Sequence, residues 1–123
     1  MTDYIIRNAQ LINEGKISSQ DVLIRGKRIE RIDSSFDVKF KTEEINAEGL
    51  FLMPGIIDDQ VHFREPGLTH KANIYTEAKA GVAGGTTTFM EMPNTSPPAC
   101  TLDLLEQKYE IASRTSLANY SFY

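Results

Sequence analysis

Four side chains at every second position, Asp58, Gln60, His62 and Arg64, stand out in the stretch DDQVHFREPG, Asp58–Gly67. In an extended strand, residues two apart face the same way, so these four are expected on one face and Ile57, Val61 and Phe63 on the other. An imidazole and a carboxylate on one rigid strand need little ordering to converge on a metal ion. An adjacent guanidinium can form a bidentate fork onto a substrate carboxylate. The stretch is therefore a candidate metal and anion site, although it carries a single histidine; by residue type alone His62 is more often a hydrogen-bonded structural histidine than a ligand, and Arg64 is equally a surface cation paired with Glu65. Other candidates are weaker. His70 lies in a polar loop and reads as exposed, and Cys100 follows two prolines with no partner to activate its thiol. Asn94, after Pro93, is suited either to satisfying turn backbone or to contacting a ligand. Glu91 either lines an interior or makes an internal salt bridge, the structural role ranking first.

The elements that must position these residues fall into two regions. Up to about Met53 the chain reads as short strands, YIIRNAQLI, DVLIRG, KRIERI and LFLM, all rich in Ile, Leu and Val. Gly26-Lys27 suits a type II′ hairpin turn, and INEGKISSQ holds another turn. From Pro54 onward strands alternate with helices. IIDDQVHF is a strand, and the loop REPGLTHK leads to a helix over Asn73–Ala83 with Ile74, Ala78 and Val82 on one face. Gly84-Gly85 stops that helix. Thr86–Met92 is a second strand, and PNTSPPAC is a loop. Thr101 caps a second helix, Leu102–Ser113, with Leu102, Leu105, Tyr109 and Ala112 as its apolar stripe. LANYSFY opens a third strand.

This order implies parallel crossovers within one sheet. Three parallel strands with two helices leave open edges, so the sequence is expected to be the front of something longer. A polar stripe facing inward opposite an apolar one is the pattern of a barrel strand whose apolar side packs on helices and whose C-terminal end lines a site.

The 123 residues, 41% of them hydrophobic, suffice for a packed core. The net charge of −4 argues against a non-specific binder of nucleic acid or of anionic membrane. The longest apolar stretch, GLFLMPGII, is broken by Pro54 and is too short to cross a bilayer. One cysteine allows no internal disulfide, and the N-terminus lacks the features of a signal peptide, so a cytoplasmic location is expected.

PGIIDDQVHFREPG (Pro54–Gly67) together with AGGTTTFMEMPNT (Ala83–Thr95) resembles the start of a dihydroorotase of the amidohydrolase superfamily, in its cyclic amidase branch. The resemblance covers essentially the whole chain. It implies an α/β protein: a small, sandwich-like N-terminal β domain over residues 1–53, completed by a C-terminal part that this chain lacks, then the opening of a metal-dependent (β/α)8 TIM barrel over residues 54–123. It also implies zinc, one or two ions, with the family's His-x-His pair falling on Gln60 and His62. A glutamine amide is a weak zinc ligand, so Gln60 is the departure from the pattern. Arg64 and Asn94 take the places of the residues that hold the substrate carboxylate. The carboxylated lysine, two further histidines and the catalytic aspartate of the family fall beyond this chain, which thus carries no catalytic residue of its own. The implied substrates are the small anions dihydroorotate and N-carbamoyl-aspartate. A homodimer or a complex with aspartate carbamoyltransferase is the implied assembly. A non-catalytic brace for that enzyme, or another cyclic amidase such as an allantoinase or hydantoinase, are the alternatives.

Overall fold

The computed structural model describes residues 2–123, which divide into two compact units at Pro54 and Gly55. The first is a five-stranded sheet. Strands β1 (Tyr4–Asn13), β2 (Lys16–Arg25) and β3 (Arg28–Asp33) form an antiparallel meander, while β4 (Glu43–Asn46) and β5 (Phe51–Leu52) both pair with β1 in parallel. The β1–β2 turn places Glu14 and Gly15 at φ 49° and 73°, the two left-handed residues of a type I′ hairpin. At the β2–β3 turn only Gly26 is left-handed, at φ 58°, as the II′ expectation requires. The turn within INEGKISSQ is confined to two residues, and strand continues on both sides of it.

Asn8, at φ 60°, makes a bulge in β1, where the register with β2 shifts between Ile6 and Ala9. Its N–H donates to Asp21 Oδ1 at 2.9 Å, and the same carboxylate receives Arg7 Nη1 at 2.8 Å. The unit's apolar centre is Ile5, Leu23 and Phe36, with Val38 packed against them. Strand β4 was not legible as a strand, because all four of its residues are exposed and no apolar alternation marks it. The expected strand LFLM shrinks to Phe51–Leu52.

The second unit is the βαβαβ run: β6 (Ile56–Val61), α1 (Ile74–Ala83), β7 (Thr86–Glu91), α2 (Leu102–Thr115) and β8 (Asn119–Phe122). Its strands are parallel, in the order β6-β7-β8. Asn73 caps α1 by accepting from the Thr76 N–H at 2.9 Å, and the Thr76 hydroxyl returns to the Asn73 N–H, a reciprocal box that satisfies two orphan donors. A third, the Ile74 N–H, donates to Glu65 Oε2 at 2.9 Å. Thr101 caps α2 as expected. Ile74, Ala78, Phe89, Ala112 and Phe122 form the core, extended by a Phe63–Phe89 ring contact at 4.4 Å and an edge-on Tyr109–Phe122 contact at 4.9 Å.

Two expected helix faces need correcting. Val82 is exposed at the end of α1, and Leu102, 83% exposed, stands at the start of α2 outside its buried stripe. Both lie in terminal turns, beyond the reach of the short strands beneath. The stripe of α2 instead includes Lys108, which is fully buried.

Candidate functional site

The candidate side chains gather where β6 and β7 end. Strand β6 is not regular. Asp58 stands opposite Phe89 and Val61 opposite Glu91, so three steps on β6 match two on β7. That extra residue is a bulge, and it reverses the inward-outward parity along the strand. Asp58 consequently lines a cavity on the helix side with Val61, Phe63, Ala78 and Phe89. The expectation that Asp58 shares a face with His62 is corrected: the bulge turns it away, and its Oδ1 accepts from the Gln60 N–H at 3.2 Å. Asp59 takes part through its backbone carbonyl, which receives the Tyr123 hydroxyl at 3.0 Å.

Beyond the bulge, Val61 and Phe63 pack on the core while His62 is exposed; Gln60, within the bulge, is exposed as well. His62 Nδ1 lies 2.9 Å from Asn94 Oδ1. A carbonyl oxygen only accepts, so Nδ1 is the donor in this contact, and in the neutral ring that leaves the lone pair on Nε2 for a ligand. The same bond uses the Asn94 acceptor and leaves its NH2 group available to an anion. Arg64, two residues beyond His62, has a left-handed φ of 70° and is half-buried. Among the described residues no carboxylate pairs with it; Glu65, the neighbour in sequence, is engaged at the cap of α1.

The two loops that carry these residues are locked together. Ser96 N–H donates to Pro66 O at 3.1 Å, and Gly67, at φ 83°, passes so close to Ser96 that a Cβ there would lie 1.8 Å from the Ser96 carbonyl oxygen. Only glycine satisfies both constraints. Beneath the loops lies a buried ion pair. Lys108 Nζ is 3.0 Å from Glu91 Oε2 and donates to Met92 O at 2.9 Å. Glu91 Oε1 receives the Phe63 N–H at 3.0 Å. Burial pushes the Glu91 carboxyl above its usual range, opposed by Lys108 and by the Phe63 and Arg64 N–H groups. The internal salt bridge expected of Glu91 is present. Its partner was missed, although Lys108 falls at the third position after Leu105 and the fourth before Ala112, inside an apolar stripe. His70 and Cys100 are exposed.

A zinc site needs at least three good protein donors. Among the described residues no cluster of three His, Cys, Asp or Glu side chains exists, and the bulge withdraws Asp58. His62, whose Nδ1 is engaged by Asn94, fits one corner of such a site through Nε2; the donors of the described residues do not complete one.

Comparison with known proteins gives a consistent result. The family described as dihydro-orotase-like matches residues 49–121. The dihydroorotase of Methanosarcina acetivorans is 37% identical over 120 residues, 98% of this chain and 26% of that protein. The dihydroorotase of Listeria monocytogenes is 42% identical over 104 residues, 84% of this chain and 24% of that protein. Among solved structures, the L-hydantoinase (dihydropyrimidinase) from Arthrobacter aurescens superposes with a TM-score of 0.92 at 29% identity, covering 100% of this chain and 28% of its own. The dihydropyrimidinase from Brevibacillus agri gives 0.85 at 29% identity, covering 99% of this chain and 27% of its own. The fold is thus that of the N-terminal portion of these amidohydrolases, and the chain spans about a quarter of the length of the curated relatives it matches.

Proposed function

The chain belongs to the dihydro-orotase-like family, and from that premise we propose that it forms the N-terminal part of a cytoplasmic hydrolase of pyrimidine biosynthesis that interconverts dihydroorotate and N-carbamoyl-aspartate. The observation that carries this reading is the His62–Asn94 contact at the adjoining ends of two parallel strands, with Arg64 two residues away. Arg64 supplies a fixed cation and Asn94 an amide donor to the α-carboxylate common to both substrates. Together they orient the ring so that its amide carbonyl stands over the reacting centre, and such positioning supplies much of the rate in reactions of this kind. His62 contributes one ligand to a zinc site completed by residues outside this chain. When bound, zinc supplies Lewis-acid polarisation and a water acidic enough to be deprotonated near neutral pH.

The test is hydrolysis by the full-length protein of dihydroorotate beside hydantoin, with Arg64→Met in parallel. The expected result is preference for dihydroorotate and a large rise in KM in the variant. Preference for uncharged hydantoin, insensitive to Arg64, would instead support the activity named for the structural neighbours.

Gln60 favours a second reading. A neutral amide where the family places histidine suits a subunit that no longer holds a full metal complement and braces a partner, either a second copy or aspartate carbamoyltransferase. Under that reading the full-length protein binds the dicarboxylate without turning it over, and co-purifies with the transferase activity.

A further inference from the structure

Glu91 and Lys108 have no place in the chemistry above, yet they are the two largest charged side chains wholly withdrawn from solvent, at 1% and 0% exposure. Burying such a pair is costly, and apolar residues of similar volume often replace one without loss of stability. Here the pair makes connections that an apolar substitute cannot. The β6–β7 ladder ends at Val61–Glu91, with the Met92 N–H reaching Val61 O at 3.0 Å as its last rung. The next backbone groups, the Phe63 N–H on one side and Met92 O on the other, have no strand partner. Glu91 Oε1 takes the first at 3.0 Å and Lys108 Nζ the second at 2.9 Å. Phe63 lies between His62 and Arg64, and Met92 is two residues before Asn94. The Nζ also sits 4.8 Å from the Phe122 ring centroid, which fixes the ammonium from β8.

We infer that Glu91 and Lys108 are positioning residues that clamp the backbone on which His62, Arg64 and Asn94 are mounted, holding those three side chains in register for an anionic substrate. Neither touches the substrate; each acts through a backbone atom one or two residues from a side chain that does. The inference rests on the proposed function for its kinetic readout and is independent of it for its spectroscopic one.

The experiment uses the full-length protein and two double variants. Glu91→Gln with Lys108→Met removes both charges but keeps an acceptor for the Phe63 N–H. Glu91→Leu with Lys108→Met removes both tethers. KM and kcat for dihydroorotate are measured at a temperature where circular dichroism shows each protein folded, and the His62 Nδ1–H proton is followed by NMR. A graded rise in KM is expected, about threefold in the first variant and about tenfold or more in the second, with a smaller change in kcat. The His62 Nδ1–H signal weakens in the same order as the contact to Asn94 loosens. Unchanged KM with an unchanged His62 signal in a folded variant overturns the inference. Should the leucine variant not fold, the glutamine variant alone decides by the same two readouts. If the unsubstituted protein lacks cyclic amidase activity, the functional reading fails, while the NMR comparison still tests the clamp.

Discussion

The sharpest test of the loop geometry is Gly67→Ala. An alanine Cβ at this position would stand 1.8 Å from Ser96 O and 2.7 Å from Ser96 C, where real Cβ contacts stay beyond 3.0 Å. Because the obstacle is backbone and not a flexible side-chain end, the two loops must part by about 1.2 Å. The φ of 83° adds its own penalty, about 1 to 2 kcal/mol for an L-residue held left-handed. Overpacking of this kind adds about 1 to 3 kcal/mol. Gly85 gives the matched control within the same unit: its φ is 93°, and an added Cβ meets nothing within 4 Å. Gly85→Ala therefore carries the conformational penalty alone, and the difference between the two variants isolates the steric part.

The consequence reaches the site because the parting loops carry His62 and Asn94. A hydrogen bond of 2.9 Å does not survive a displacement of that size. Misplacement by about 1 Å costs on the order of 100-fold in rate. The assay is thermal unfolding of the full-length protein and of both variants, paired with kcat/KM for dihydroorotate well below each midpoint. The expected outcome is a Gly67→Ala protein less stable than Gly85→Ala by about 1 to 3 kcal/mol and about 100-fold less active, while Gly85→Ala keeps its activity. Equal stability and equal activity in the two variants would refute the claim that the loops are locked by this approach.

Three further outcomes are expected. Gln60→His in the full-length protein raises the zinc retained after dialysis, because an imidazole nitrogen replaces an amide oxygen as donor; metal analysis showing two full equivalents with and without the substitution would count against Gln60 as the weak position. Asp21→Asn costs about 1.5 to 3 kcal/mol by removing the charge that holds Arg7 in its part-buried hydrogen bond, Glu44 being the ion-pair partner that remains. Burial raises the Asp21 carboxyl, but the hydrogen bonds from Arg7 and the Asn8 N–H, with the Arg7 charge, hold it below its usual value. Its stabilisation is therefore present above the unfolded carboxyl pKa and lost as pH falls through the depressed one, and a stability profile that stays flat in acid for the unsubstituted protein would contradict this. The 123-residue chain expressed alone hydrolyses no dihydroorotate and self-associates, since β6 and β8 are both edge strands of their sheet and Ile56 and Ile57 are exposed; a monodisperse monomer by sedimentation would overturn the second half.

What the amino-acid order disclosed, and what it concealed, follow from how local the determining forces are. The cap at Thr101, the turns at Gly15 and Gly26 and the βαβαβ order are set by neighbouring residues, so short windows of sequence reveal them, whereas Asn73, expected as the first helical residue, is the cap before Ile74. Strand β4 is held by pairing to β1 far along the chain, and its four exposed residues carry no pattern of their own. Lys108 was concealed for a related reason. A lysine in an apolar stripe reads as a surface residue unless the carboxylate that buries it is known, and Glu91 lies in a different element.

The bulge in β6 shows the same limit where it matters most for chemistry. Alternation places Asp58, Gln60 and His62 on one face only if pairing is regular, and one extra residue against β7 returns Asp58 to the helix side. The arrangement then separates two duties that the sequence merges. Asp58 stays exposed on the helix side, and its carboxylate receives the Gln60 N–H across the bulge. His62, one full alternation after Gln60, keeps an imidazole oriented by Asn94. After the bulge, Val61 opposite Glu91 sets Phe63 on the Glu91 carboxylate and against Phe89, and leaves His62 on the alternate side with Asn94. One strand thus serves the packed core through Val61 and Phe63 and presents His62 on its other side, with Asp58 left off the histidine's face by the bulge.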